Sequence, residues 1–260
     1  MAIRINENIK LKRMIVDRER KVIYLHNPKS GGTFLRSLYI KKYGQTEATK
    51  WWKLFTKEHG TDLGHISYDD LPRFIPDWKE YRVIVMVRNP YNRFYSAMKE
   101  LKDQTRLFKV NRIIELPMYV VFGEYQEWGR FRKIYEFLRL ICPGTYKYYL
   151  LKLRNASIDN ICKQILGFKC DKQDCFLRNK RLPWLNPQSD FMGENVEVLQ
   201  YESFSDWEKL LTIFGLTEYS GELKIAKDYD IPVSVCEMIR ELYPEDSALF
   251  KLYKKSSVCV

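Results

Sequence analysis

Residues 21–43, K-V-I-Y-L-H-N-P-K-S-G-G-T-F-L-R-S-L-Y-I-K-K-Y, constrain the fold more than any other stretch. Val22 to Leu25 is a short, β-prone apolar run of the kind a buried parallel strand uses. Asn27 and Pro28 stop it. Gly31 and Gly32 supply backbone free of Cβ clashes. Thr33 can cap a helix, on which Phe34, Leu35, Leu38 and Tyr39 recur at helical spacing. The pattern is strand, tight basic turn, helix. Such a turn aims backbone N–H groups and a helix N-terminus at one point, which suits a phosphate. Lys29 adds a mobile positive charge, and Ser30 and Thr33 add hydroxyl donors. An ordinary βα corner needs neither the lysine nor the flanking hydroxyls. The turn is not a Walker A loop, because that motif places its lysine after the last glycine and Lys29 precedes both.

A second strand–turn–helix follows. Val83 to Val87 is a continuous apolar run, typical of a central parallel strand, with Arg88 at its C-terminal end. Pro90 breaks the strand. Asn92 can cap a helix on which Arg93 and Ser96 share a face. Open parallel sheets bind ligands at strand C-termini, so Lys29 and Arg88 belong on one rim if their strands are neighbours.

The other segments read as follows. Residues 1–20 form a polar arm, and 45–60 form helix and loop over the site, with Trp51 and Trp52 as a wall or a packing cluster. Leu63 to Ile66 is strand-like, followed by a short helix with Ser67, Asp69 and Asp70 as caps. Residues 111–166 are mainly helical, around Tyr125 to Leu140 and Ser157 to Leu166. Residues 167–190 form a long basic loop with two prolines and no clean period. Val196 to Tyr201 is a third strand, and Ser205 to Phe214 a helix ended by Gly215. Val233 to Tyr243 and Ser247 to Tyr253 form a helical pair broken at Pro244. No repeat or linker divides the chain, so 1–260 reads as a single domain.

At 45% hydrophobic residues the chain reads as globular. The net charge of +11, with a pI near 9.2, suggests an anionic partner, although the cations are scattered rather than clustered. No signal-peptide h-region is visible in M-A-I-R-I-N-E-N-I-K, and no run approaches the ~18–20 apolar residues of a membrane span. A soluble cytoplasmic protein without stable membrane insertion is the expectation; a trimmed Golgi lumenal domain is the alternative. Of the cysteines only Cys170 and Cys175 sit close together. No second pair follows at zinc spacing, so reduced structural thiols and no metal are expected.

Four separated segments resemble the sulfotransferases that use 3′-phosphoadenosine-5′-phosphosulfate (PAPS). P-K-S-G-G-T at Pro28 to Thr33 resembles their 5′-phosphosulfate loop. R-N-P-Y-N-R-F-Y-S at Arg88 to Ser96 resembles their 3′-phosphate motif. V-E-V-L-Q-Y-E-S-F-S-D-W at Val196 to Trp207 and I-R-E-L-Y-P-E-D-S-A-L-F at Ile239 to Phe250 look like the late strand–helix and C-terminal helix of the Golgi-type families. The resemblance implies an α/β, P-loop-like sulfotransferase fold: a central parallel sheet with helices on both faces. It implies that Lys29, Ser30, Gly31, Gly32, Thr33 and Phe34 hold the 5′-phosphosulfate and that Arg88 and Ser96 hold the 3′-phosphate.

G-H-I-S-Y at Gly64 to Tyr68 is similar to a piece of the uronosyl 2-O-sulfotransferases, where the histidine is the catalytic base. That puts His65 in the role. An attacking hydroxyl must lose its proton, and an imidazole of pKa ~6.5 suits this at neutral pH. His59 comes second, and His26, at a strand end, reads as packed. The run C-F-L-R-N-K-R is loosely like the loop that closes over PAPS in glucosaminyl 3-O-sulfotransferases, without its glycine. It implies Arg178, Lys180 and Arg181 as phosphate contacts. Those enzymes use a glutamate base, so the acceptor stays open between a glycan and a small natural product.

The expected activity is transfer of the sulfuryl group of PAPS to an acceptor hydroxyl, releasing 3′-phosphoadenosine-5′-phosphate (PAP), with no nucleic-acid partner. The alternatives are a P-loop-like nucleotide kinase and a non-catalytic protein that binds anionic glycan or nucleic acid.

Overall fold

The computed structural model describes residues 14–51, 61–107, 156–166, 183–219 and 228–253. Its frame is a four-stranded sheet in the order β1 (Ile15–Asp17), β2 (Val22–Leu25), β3 (Arg82–Val87), β4 (Val196–Gln200). β2, β3 and β4 run parallel, and β1 runs antiparallel to β2. The sheet is therefore mixed, not wholly parallel. The reason lies in the supposed arm: Met14, Ile15 and Val16 are apolar and buried, and a tight turn at 18–21 folds them back on β2. Asp17 fixes that turn by accepting from the Arg20 amide and guanidinium.

Alternate residues of β3 enter different cores, as the two-residue period of a strand requires. Val83, Val85 and Val87 meet Leu71 and Ile75 around α2 (Leu71–Phe74), together with Trp51, Trp78 and Phe191. Ile84 and Met86 meet α1 (Gly32–Tyr43) and α5 (Phe204–Ile213) through Leu35, Tyr39, Trp207 and Phe214. A third core joins α3 (Pro90–Leu107), α4 (Ile158–Leu166) and α6 (Val233–Leu242) through Phe94, Met98, Ile165 and Ile239. α7 (Pro244–Tyr253) begins at Pro244, which tolerates the first helical turn because its missing N–H has no helical partner there.

Local details depart from the pattern reading. Leu63 to Ile66 is a turn, not a strand: Asp62 accepts from the Gly64 and His65 amides and folds the backbone there. Asp70 is the N-cap of α2 but makes no side-chain bond there. Asn89, not Asn92, caps α3: its Oδ1 accepts from the Tyr91 and Asn92 amides. Gly31, not Thr33, is the N-cap of α1. Between Gln45 and Trp51 the helical piece is a single 3-10 turn, Glu47–Thr49, and Trp51 packs into the core rather than standing as a wall. The end of the expected basic loop holds 3-10 turns at Pro183–Leu185 and Gln188–Phe191. The helix expected at Tyr125 to Leu140, together with Trp52, His59, Cys170, Cys175, Arg178, Lys180 and Arg181, lies outside the described residues. No described helix is long and apolar enough to cross a membrane.

Candidate functional site

The loop between β2 and α1 is shaped by two left-handed residues, Lys29 (φ 67°) and Gly31 (φ 84°). A non-glycine residue at positive φ is uncommon, so the loop spends backbone energy at Lys29. At Gly31 a side chain would also have to displace the Trp207 ring, because a Cβ would lie 2.5 Å from it. At Gly32 a Cβ would lie 2.0 Å from His26. The Trp207 ring is itself held by its indole N–H on the Tyr201 carbonyl, 2.8 Å away. Among the described residues, the amides of Ser30, Gly31, Gly32 and Thr33 find no backbone acceptor. They sit at the N-terminus of a twelve-residue helix with no acidic side chain in its first turn. Such an end carries a partial positive charge that favours anions.

Arg88 lies on the same rim, because β2 and β3 are hydrogen-bonded neighbours. Its Nη1 donates to the Lys29 carbonyl at 3.1 Å. Its guanidinium carbon lies 4.7 Å from the Tyr201 ring centre and 5.9 Å from that of Tyr229. Its buried Nε has no hydrogen-bond partner among the described residues. The buried Nε atoms of Arg36 and Arg93 likewise lack a partner among those residues, so this feature is not peculiar to Arg88. Tyr229 is brought there by α3: Asn92 accepts from the Tyr229 amide and donates to Asp228.

Ser96 is one helical turn beyond Asn92 on α3, and Glu100 one turn beyond Ser96. The Lys29 ammonium lies 3.4 Å from the Glu100 carboxylate. The structure therefore brings Lys29, Gly31, Gly32, Arg88 and the Ser96 face of α3 together. Thr33 is exposed at the start of α1 and Phe34 half-buried, packed edge-on against Trp207 and Tyr219. Ser30 is different: it is fully buried and its Oγ accepts from Asn27 at 3.1 Å, so its hydroxyl faces inward.

Arg93 belongs to the interior. It donates to the carbonyls of Trp184 and Asn186 and faces Asp246 at 3.5 Å. Burial pushes the Asp246 carboxyl above the usual aspartate range, against the pull of Arg93 and the amides of Gln188 and Ser189. Glu202 keeps part of its surface exposed but turns its carboxylate onto the Asn89 amide at 3.0 Å. Desolvation there raises its pKa; the bond from Asn89 and the charge of Arg88 oppose the rise.

His65 is stacked on His26, with ring centres 4.7 Å apart, and its Nδ1 meets Asp62 Oδ2 at 2.9 Å. A carboxylate at Nδ1 favours the tautomer with the proton on that nitrogen. The His65 side chain is 0% exposed. Its ring thus reaches the loop through His26, which packs on Gly32, and not through open solvent.

Pattern reading missed Asn27, Asp62, Gln188, Tyr201 and Tyr229. Only Asp62 had a local signal, three residues before the candidate base. Asn27 sits in the loop itself but acts mostly on Met86 and Gln188, and Gln188, Tyr201 and Tyr229 act across long sequence separations. Among the described residues no cluster of histidine, cysteine and acidic side chains could hold a metal. No protein-family model, curated protein or solved structure matches this chain.

Proposed function

We propose that this chain is a PAPS-dependent O-sulfotransferase acting on a hydroxyl of a glycan or small-molecule acceptor. The observation that carries the reading is the Arg88–Lys29 contact. It puts a desolvated guanidinium beside a glycine loop whose amides at 30–33 find no backbone acceptor among the described residues, at the ends of two parallel strands. A ligand with two anionic groups could use both the loop amides and the Arg88 guanidinium, which a single phosphate would not need. The amides of residues 30–33 and the helix N-terminus they open suit such a ligand.

PAPS supplies the sulfuryl group. The loop amides and Lys29 would hold its 5′ side, with Phe34 and Thr33 at the loop's edge. Arg88 and Ser96 would hold the 3′-phosphate. Lys29 would leave Glu100 to neutralise charge as it grows on the leaving phosphate oxygen, the kind of stabilisation that often dominates catalysis. His65, oriented by Asp62, would take the acceptor's proton at Nε2. Arg178, Lys180 and Arg181 complete the proposal as further phosphate contacts.

The test is a thermal-shift titration with PAP and with 5′-AMP. PAP should stabilise the protein well beyond 5′-AMP, and equal or absent shifts would overturn the reading. Radiolabelled PAPS then screens acceptors for the hydroxyl. A second reading, a PAP-binding protein without transferase activity, is favoured by the complete burial of His65. PAP binding without label transfer to any acceptor class would select it.

A further inference from the structure

β2 leaves the sheet early. Its last rung is Leu25 opposite Val85, and the Asn27 amide already bonds the Leu25 carbonyl in a tight turn. β3 runs on to Val87, so the backbone groups of Met86 and Arg88 that face the departed strand need other partners. Two side-chain amides provide them. Asn27 Nδ2 donates to the Met86 carbonyl at 3.0 Å. The Gln188 carboxamide takes the Arg88 amide at 2.9 Å on Oε1 and gives to the Arg88 carbonyl at 2.8 Å from Nε2.

The two amides are joined. Asn27 Nδ2 also donates to Gln188 Oε1 at 2.8 Å and to Ser30 Oγ at 3.1 Å. Gln188 is only 2% exposed and Asn27 0%. The Gln188 backbone is anchored independently of its side chain, since its amide and that of Ser189 donate to the buried Asp246 carboxylate. Asp246 is in turn opposite Arg93 of α3. One carboxamide therefore sits between the loop that carries Lys29 and the peptide that carries Arg88.

We propose that Gln188 is a positioning residue for the two-anion ligand, setting the distance between the Lys29 loop and the Arg88 guanidinium. The inference rests on the sulfotransferase reading. It does not touch the nucleotide itself. Without the carboxamide, both polar groups of the Arg88 peptide lose their partners in a buried place, and the strand end shifts to find new ones. A shift there moves Arg88 relative to the loop, which is a change in ligand discrimination and not only in stability.

The experiment is calorimetric binding of PAP and 5′-AMP to the full chain and to Gln188→Met and Gln188→Glu. Methionine keeps the length and removes all three bonds. PAP affinity should fall about 10- to 100-fold, the scale that small misplacements of binding groups produce. Affinity for 5′-AMP should fall much less, so the PAP/5′-AMP ratio collapses. Glutamate keeps the acceptors for Asn27 and Arg88 and should recover part of the ratio. A purely structural role would lower the bound stoichiometry and leave both affinities and their ratio intact, and that outcome overturns the proposal.

Should neither variant fold, the wild-type chain still decides. PAP should slow hydrogen exchange at residues 186–190 together with residues 28–33; protection confined to the loop overturns the proposal. If the wild type itself fails to prefer PAP over 5′-AMP, the sulfotransferase reading fails first and takes this inference with it.

Discussion

At the residue scale, the site asks three side chains to fail in different ways. Arg88→Ala removes a charged donor beside the loop, and PAP binding should weaken by ~1.5–3 kcal/mol in calorimetry, the worth of a hydrogen bond to a charged group. Lys29→Ala should reduce both PAP affinity and turnover. His65→Ala should leave PAP affinity nearly intact while turnover drops by ~10²–10⁴-fold, as for loss of a positioned general base. Near-normal turnover in that variant would assign the base elsewhere. The placing of Lys29, Gly31 and Arg88 on one rim was legible, because each follows an apolar strand run at its C-terminal end. Gln188 was not, because nothing near P-W-L-N-P-Q-S-D signals that its carboxamide completes a strand end 100 positions earlier in the sequence.

At the scale of elements, the edge hairpin of β1 and β2 carries its own pH dependence. Asp17 is desolvated by burial, which alone would raise its pKa. The bonds from the Arg20 amide, the Arg20 guanidinium and the Tyr39 hydroxyl outweigh it, and the carboxyl ends below its ordinary value of 3.8. A depressed folded-state pKa stabilises the fold at pH values above the unfolded pKa and is lost as pH falls through the folded one. Urea midpoints followed downward from neutral pH should therefore drop below about pH 4, near the aspartate range. Asp17→Asn should be less stable at neutral pH and should show a shallower acid loss. An unchanged acid profile would place the titration elsewhere. β2, β3, β4 and the helices after them followed from apolar runs and helical spacing. β1 did not, because Ile15–Asp17 is only three residues long and ends on a charged one, and only pairing with β2 reveals it. The caps were misassigned for a related reason: Asn89 and Asn92 are equally good cap residues, and the path of the chain around Pro90 chooses between them.

For the whole molecule, the ligand reading becomes a statement about stability. A ligand that binds only the folded chain stabilises it by ~2.7 kcal/mol at a free concentration 100 times its dissociation constant. PAP should therefore raise the unfolding midpoint in proportion to the logarithm of its concentration, and Arg88→Ala should shift that dependence to higher PAP. With a net charge of +11, affinity should also fall as salt is raised, since screening acts on the attraction of a basic chain for an anion. Salt-independent PAP binding would argue against recognition of its phosphates by the basic side chains. Gly31→Ala links the scales: a side chain there must enter a left-handed conformation, ~1–2 kcal/mol by itself, and also displace the Trp207 ring. Both the urea midpoint and PAP affinity should fall; tolerance of alanine would mean that the ring moves freely.

The floor of the loop is made by residues that come late in the chain. Trp207 lies under Gly31, Gln188 braces Asn27, and Asp246 holds Gln188. During synthesis, residues 26–33 leave the ribosome long before any of these exist. The nascent loop thus lacks part of its support until the segment carrying Asp246 emerges. A ribosome-stalled series should acquire PAP-dependent protease resistance only after the segment carrying Asp246 has cleared the exit tunnel, however long the earlier strands have been available.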